Sequence, residues 1–348
     1  LVRFDGEQPV LLDAISLPYP PPRAQALAEQ VSTSRRPLEV DEKSLDAALA
    51  AHFAEAVRVL LERSGTDTRQ VHAIGSHGQT VWHDPNGSPP ETLQLGSPER
   101  IAQLTGITTV GDFRRADLQA GGQGAPLAPL LHRALFGPSK GGGRRVVLNL
   151  GGIANISVLD GNGGVSGFDT GPANCLMDSG VRRHRDEAFD RDGHWAAGGK
   201  IDRGLLEDML DDAYFHSAPP KSTGVEYFNL QWLEQFPQLP ETKPRDVQAT
   251  LAELTAVTVA NAIRSTAATE VLVCGGGVHN SHLLTLLRSL LPGVEVQSTV
   301  SAGLEPDWVE AVLFAWLARE RLAGRSLDTA AITGARQPVL LGRICAPV

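Results

Sequence analysis

Asn149-Leu150-Gly151-Gly152-Ile153-Ala154-Asn155, followed by Gly167-Phe168-Asp169-Thr170-Gly171-Pro172-Ala173-Asn174, is the part of the chain whose reading decides the fold. Arg145–Leu150, Asn155–Leu159 and Gly164–Asp169 read as three short strands joined by glycine-rich turns. Asp169 ends the third of these and a helix is expected to start near Asn174. Downstream, Val247, Leu251, Leu254 and Val257 recur at helical spacing and predict a helix from Asp246 to Thr266. Strand Val271–Cys274, the turn Gly275-Gly276-Gly277, a helix carrying Leu283, Leu284, Leu286 and Leu287, strand Val294–Gln297 and helix Pro306–Leu322 follow. Three strands and then alternating helices and strands describe an α/β fold, a mixed sheet flanked by helices.

Outward from this block, Gly137-Pro138-Ser139-Lys140-Gly141-Gly142-Gly143 reads as a flexible connector. Residues 1–136 then form a first domain, 137–144 a linker, 145–322 a second domain, and 323–348 a segment returning to the first. In the first domain Leu45, Leu49, Phe53, Val57 and Leu60 predict a helix, with Ser44 as its N-cap and Gly65 beyond its end. Val71–Ser76 and Ile107–Asp112 read as strands entering polar or glycine-rich loops. Val2-Arg3-Phe4-Asp5-Gly6 echoes Val158-Leu159-Asp160-Gly161. If the two halves are duplicates, one strand and its turn are expected ahead of Leu1.

The chain has 348 residues, 42% apolar and 20% charged, the composition of a soluble globular protein of about two domains. A net charge of −9 offers no basic field to draw in nucleic acid or an anionic membrane. No apolar run reaches the roughly 20 residues needed to span a bilayer, and no secretory signal pattern opens the chain. Cys175, Cys274 and Cys345 are odd in number and widely spaced, which predicts reduced thiols and a cytoplasmic location.

Several residues carry possible chemistry. Asp169, at a strand end beside a glycine turn, suits a general base, a carboxylate holding Mg²⁺ through water, or a helix cap. Asn149, Gly151, Gly152 and Asn155 form a turn whose N–H groups can cradle an anion or simply close a hairpin. Gly275, Gly276 and Gly277 can let a ribose or adenine lie on bare backbone, although neither a Rossmann fingerprint nor a Walker loop is present. Lys221, in Lys221-Ser222-Thr223-Gly224, reads as a phosphate contact or a solvated turn. Glu310 is the sole charge in Trp308–Leu317, with Leu313, Phe314 and Leu317 on its side, so it is expected to be paired or to line a cleft. Arg114, Arg115 and Asp117 lead into Gly121-Gly122-Gln123-Gly124, and an Arg there can grip a carboxylate with two bonds. His77, ending Ile74-Gly75-Ser76-His77, is a binding-loop candidate.

Taken in order, Ile74–Thr80, Asp112–Arg115, Ala120–Leu127, Asn149–Asn155, Gly167–Asn174, Lys221–Gly224 and Cys274–Asn280 resemble the anhydro-N-acetylmuramic acid kinases of peptidoglycan recycling, almost from end to end. The resemblance implies the sugar kinase/heat-shock ATPase/actin superfamily fold, two ribonuclease-H-like domains around a nucleotide and substrate cleft. It implies ATP and Mg²⁺ as cofactors, a cytoplasmic homodimer, and conversion of 1,6-anhydro-N-acetylmuramic acid to N-acetylmuramic acid 6-phosphate. By the same resemblance Asp169 is the catalytic base, and Arg115, Glu310, His77 and Gln123 contact the sugar. Asn149, Gly151, Gly152, Asn155, Lys221, Gly275, Gly276 and Gly277 hold the nucleotide. The family's opening strand and Ser-Gly-Thr-Ser-x-Asp-Gly phosphate loop are not in the sequence. That gap implies impaired phosphoryl transfer, and as the alternative a nucleotide-binding module without catalysis.

Overall fold

The protein is seen in a computed structural model that describes residues 1–32, 39–219 and 221–347. Two compact units emerge: residues 132–309, contiguous in sequence, and residues 1–131 together with 310–348.

The contiguous unit is built on one five-stranded sheet. Its strand order is Glu295–Ser298, Glu270–Cys274, Arg145–Leu150, Ile153–Leu159, Val165–Pro172. The first two pairings are parallel and the last two antiparallel, so the sheet is mixed as expected. Val146, Val147 and Leu148 are all buried. A strand covered on both faces reads as a continuous apolar run, and this is why the segment is so plain in the sequence. The long helix Pro244–Thr266 starts with Pro in its first turn and is buried on every side from Gln248 to Ala256. Its Leu251, Leu254, Val259 and Ile263 share one core with Val146, Leu148 and Val273.

The other unit carries shorter pieces of sheet. Ile74–Gly75, Thr109–Gly111 and Arg343–Cys345 form a three-stranded sheet with Thr109–Gly111 in the middle. Val2–Asp5 pairs with Gln8–Leu11, and Gln79–Asp84 with Glu91–Leu95. Leu27, Leu49, Val81 and Leu95 make a small local core beside Tyr19 and Phe53.

Four expectations are corrected. The strand carrying Asp169 does not end there but runs to Pro172, because a bulge at Thr170 absorbs the turn-like residues into the ladder. Helix Val309–Leu322 packs within the first unit, so the second unit stops at Val309 rather than at Leu322. The helix around Leu49 runs Glu39–Ser64, which puts Ser44 inside it instead of at its cap. The strands predicted over Val71–Ser76 and Ile107–Asp112 shrink to Ile74–Gly75 and Thr109–Gly111. Among the described residues no helix is long and apolar enough to cross a membrane.

Candidate active site

In the contiguous unit, sheet register does the positioning. Cys274 lies opposite Asn149, Asn149 opposite Asn155, and Asn155 opposite Asp169. Residues directly opposite in a sheet point to the same face, so the two amides and the carboxylate form a polar row across three antiparallel strands. The Cys274 thiol lies 3.9 Å from Asn149 Oδ1 and continues the row.

Asp169 is half-buried and makes one bond to its carboxylate: the Thr223 N–H donates to Oδ2 at 2.9 Å. Burial pushes its pKa up to about 6, the Thr223 bond pulls the other way, and Glu226 adds to the rise. A carboxyl with its pKa near neutral can take a proton from water and keep it. Its backbone is fixed as well. The Asp169 N–H donates to the Lys221 carbonyl at 3.1 Å, and the Tyr214 hydroxyl donates to the Asp169 carbonyl at 2.7 Å. The Lys221 ammonium donates to the Tyr214 carbonyl at 2.9 Å and lies 4.5 Å from the centre of the Tyr214 ring.

The glycines next to this row differ in kind. A Cβ at Gly277 would sit 2.5 Å from Leu150 Cβ, and one at Gly275 would meet Asn149 Oδ1 at 2.4 Å. The protein itself requires glycine there. At Gly276 a Cβ would touch nothing, and at Gly151 and Gly152 it would find ordinary contact distances. None of these three has the positive φ that only glycine tolerates well. Neither packing nor backbone strain explains them. The carbonyls of Gly151 and Gly152 are used by the protein, accepting from the N–H groups of Ala173, Asn174 and Cys175 at the start of helix Asn174–Arg185.

In the other unit, loops carry the candidates. Arg114 Nη2 lies 2.9 Å from His77 Nε2, and Nη1 donates to the Gly124 carbonyl at 2.9 Å. Arginine only donates, so Nε2 is the acceptor and the ring proton sits on Nδ1. Burial first, and Arg114 second, hold the His77 pKa at about 3. The imidazole is therefore neutral in use, stacked on Phe314 with centroids 4.5 Å apart. Burial also lowers the pKa of Arg114, against the opposing pull of Glu310 and Asp117. Arg115 is exposed and pairs with Asp112 at 3.0 Å, and Gln123 is exposed with its N–H bonded to the Thr333 carbonyl at 2.8 Å.

Glu310 departs from expectation. It is exposed, because it occupies the first turn of helix Val309–Leu322, where the helix end favours a carboxylate and solvent is near. The buried carboxylate of that helix is Glu320, paired with Arg319 and Arg325. Asp117, noticed in sequence beside Arg114 and Arg115, was given no role there. Fully buried, it accepts from the Gly124 N–H at 2.7 Å and from the hydroxyls of Thr329 and Thr333 at 2.6 and 2.8 Å. It thereby pins the Gly121–Gly124 loop. Thr223 and Tyr214 were missed too, although Thr223 lies in a loop the sequence had already singled out.

Comparison with known proteins adds the family. The sequence profile of the family described as Anhydro-N-acetylmuramic acid kinase matches residues 1–347. The anhydro-N-acetylmuramic acid kinase of Xanthomonas campestris pv. campestris strain 8004 is 48% identical over 355 aligned positions, covering 99% of this chain and 92% of that protein. That of Xylella fastidiosa strain Temecula1 is 51% identical over 302 positions, covering 86% of this chain and 79% of its own length. Among solved structures, a ROK family glucokinase from Streptomyces griseus in complex with glucose and AMPPNP aligns at 16% identity with a TM-score of 0.36, over 80% of this chain and 88% of that one. The family rests on the sequence relatives alone.

Proposed function

The chain belongs to the anhydro-N-acetylmuramic acid kinase family, and from that premise we propose how its own residues carry out the reaction. It is a phosphotransferase acting on a sugar alcohol. The relatives favour this reading over a module without catalysis. The substrate is 1,6-anhydro-N-acetylmuramic acid, and the product is N-acetylmuramic acid 6-phosphate.

Asp169 is the base. Its carboxylate takes one proton from the water whose oxygen bonds to the anomeric carbon, while the bond from that carbon to O6 breaks. The freed O6 keeps the electron pair and attacks the γ-phosphorus of ATP, whose bond to the bridging oxygen breaks as ADP leaves with that pair. The observation that carries this assignment is the register row of Asn149, Asn155 and Asp169, with a carboxyl whose pKa burial raises to about 6. ATP is the second substrate and supplies the γ-phosphoryl group. Asn149, Gly151, Gly152, Asn155 and Gly276 would take its phosphates and ribose, and the unexplained glycines fit that use. Among the described residues no group of three or more His, Cys, Asp or Glu side chains is arranged around a metal. Mg²⁺ would be carried mainly by the nucleotide phosphates; such an ion would offset phosphoryl charge. On the first unit, His77, Arg115, Gln123 and Glu310 are the sugar contacts, offering neutral, cationic and anionic groups. A cytoplasmic homodimer completes the proposal.

The test is turnover of ATP and the anhydro sugar in ¹⁸O-water. Label is expected at the anomeric hydroxyl and absent from the phosphate; unlabelled product would rule out water attack.

A further inference from the structure

Lys221, Tyr214, Asp169 and Thr223 close on one another in a way that a phosphate-binding lysine would not need. The Lys221 ammonium holds the Tyr214 carbonyl at 2.9 Å, the Tyr214 hydroxyl holds the Asp169 carbonyl at 2.7 Å, and the Asp169 N–H returns to the Lys221 carbonyl at 3.1 Å. The circuit is closed. Two residues past Lys221, the Thr223 N–H reaches the Asp169 carboxylate at 2.9 Å. Lys221 is half-buried with its ammonium over the Tyr214 ring, and desolvation lowers its pKa. Tyr214 is held in turn from its other side. Its N–H donates to Asp212, which also accepts from the Tyr227 hydroxyl and from Trp232 Nε1 at 2.9 and 2.8 Å.

We propose that Lys221 and Tyr214 are positioning residues for Asp169: they lock the loop that carries Thr223 and fix the direction and surroundings of the carboxylate. Lys221 acts through Tyr214 and not on the nucleotide. This rests on the reading of Asp169 as the base. The titratable groups bearing on Asp169 are Glu226 and Tyr214, and its partner on the neighbouring strand is the neutral Asn155. Opening the clamp admits water to Asp169, which removes the main cause of its raised pKa.

The experiment compares Asp169→Asn, Lys221→Met, Lys221→Arg and Tyr214→Phe with the unaltered protein, measuring ADP release on the anhydro sugar against pH. Lys221→Met is expected to lower kcat about 10- to 100-fold through a misplaced base. It leaves KM for ATP unchanged and moves the acid limb down from about 6 toward the ordinary carboxylate range. Tyr214→Phe keeps the ring and loses only the hydroxyl, giving smaller changes of the same kind, and Lys221→Arg restores the limb. A raised KM for ATP with the limb unmoved in Lys221→Met would overturn the clamp and return Lys221 to the phosphates. Should Lys221→Met not fold, Tyr214→Phe decides alone: an unmoved limb and unchanged kcat overturn the clamp. Turnover that survives Asp169→Asn sinks the base itself, a failure distinct from that of the clamp.

Discussion

Asp169 and Arg114 are both ionisable groups drawn out of water, and the two units hold them for opposite ends. Asp169 stands on a sheet strand, with one backbone donor to its carboxylate, and burial brings its pKa to about 6. Arg114 stands on a loop and gives two of its bonds to Gly124 and His77, the latter kept neutral down to about pH 3. One region is built to change charge near neutral pH. The other is built not to. A carboxyl poised to titrate near neutral pH and a guanidinium tied to a neutral imidazole answer to different physics.

The widest break in this contrast is Asp169→Asn. Removal of a positioned general base is expected to lower kcat about 10³-fold, with KM for ATP little changed, read by steady-state kinetics. Next comes Asp117→Ala, which strands the Gly124 N–H and two threonine hydroxyls in a buried place. It should cost about 3 kcal/mol of stability, seen as a lower urea midpoint, and loosen the gripping loop. The mere removal of a surface charge would give no such loss.

The pH dependence of stability sharpens the contrast further. Unfolded, Asp169 titrates near 3.8; folded, near about 6. Between these values the native state holds the extra proton, so its stability falls as pH rises through that window and stays lower above it. Asp169→Asn should therefore be more stable than the unaltered protein at pH 8 by about 1 to 3 kcal/mol, and equally stable near pH 3. A gain of the same size at both pH values would mean that the carboxylate's charge is not the cause. The smallest effect belongs to Arg115→Ala. Stability should change by less than about 0.5 kcal/mol, since Arg115 is itself exposed in its pair with Asp112, while KM for the sugar rises.

Much of the second unit could be read from sequence because its signals are local. Arg145–Leu150 was placed residue for residue by its unbroken apolar run, and Asp169 stood out by its glycine neighbours. What failed had physical reasons. Thr170-Gly171-Pro172 looked like a turn because a bulge that keeps such residues in a strand depends on the partner strand. Glu310 looked buried because its greasy neighbours were counted without its place in the helix's first turn. Asp117 stood beside Arg114 and Arg115, but its anchoring role could not be read, since its threonine partners lie more than 200 residues further along the chain. Lys221 was noticed, but nothing in Lys221-Ser222-Thr223-Gly224 tells that its ammonium turns back onto Tyr214.

The strand Arg343–Cys345 pairs with Thr109–Gly111, and helix Val309–Leu322 belongs to the same unit. During synthesis, then, residues 1–131 leave the ribosome without the strand and helix that complete them. The contiguous unit, 132–309, can close first although it is made second. Until the last residues arrive, Thr109–Gly111 keeps one open edge, a place where a stray strand can pair. The discontinuous unit is thus the one whose sheet waits on a distant segment of the chain.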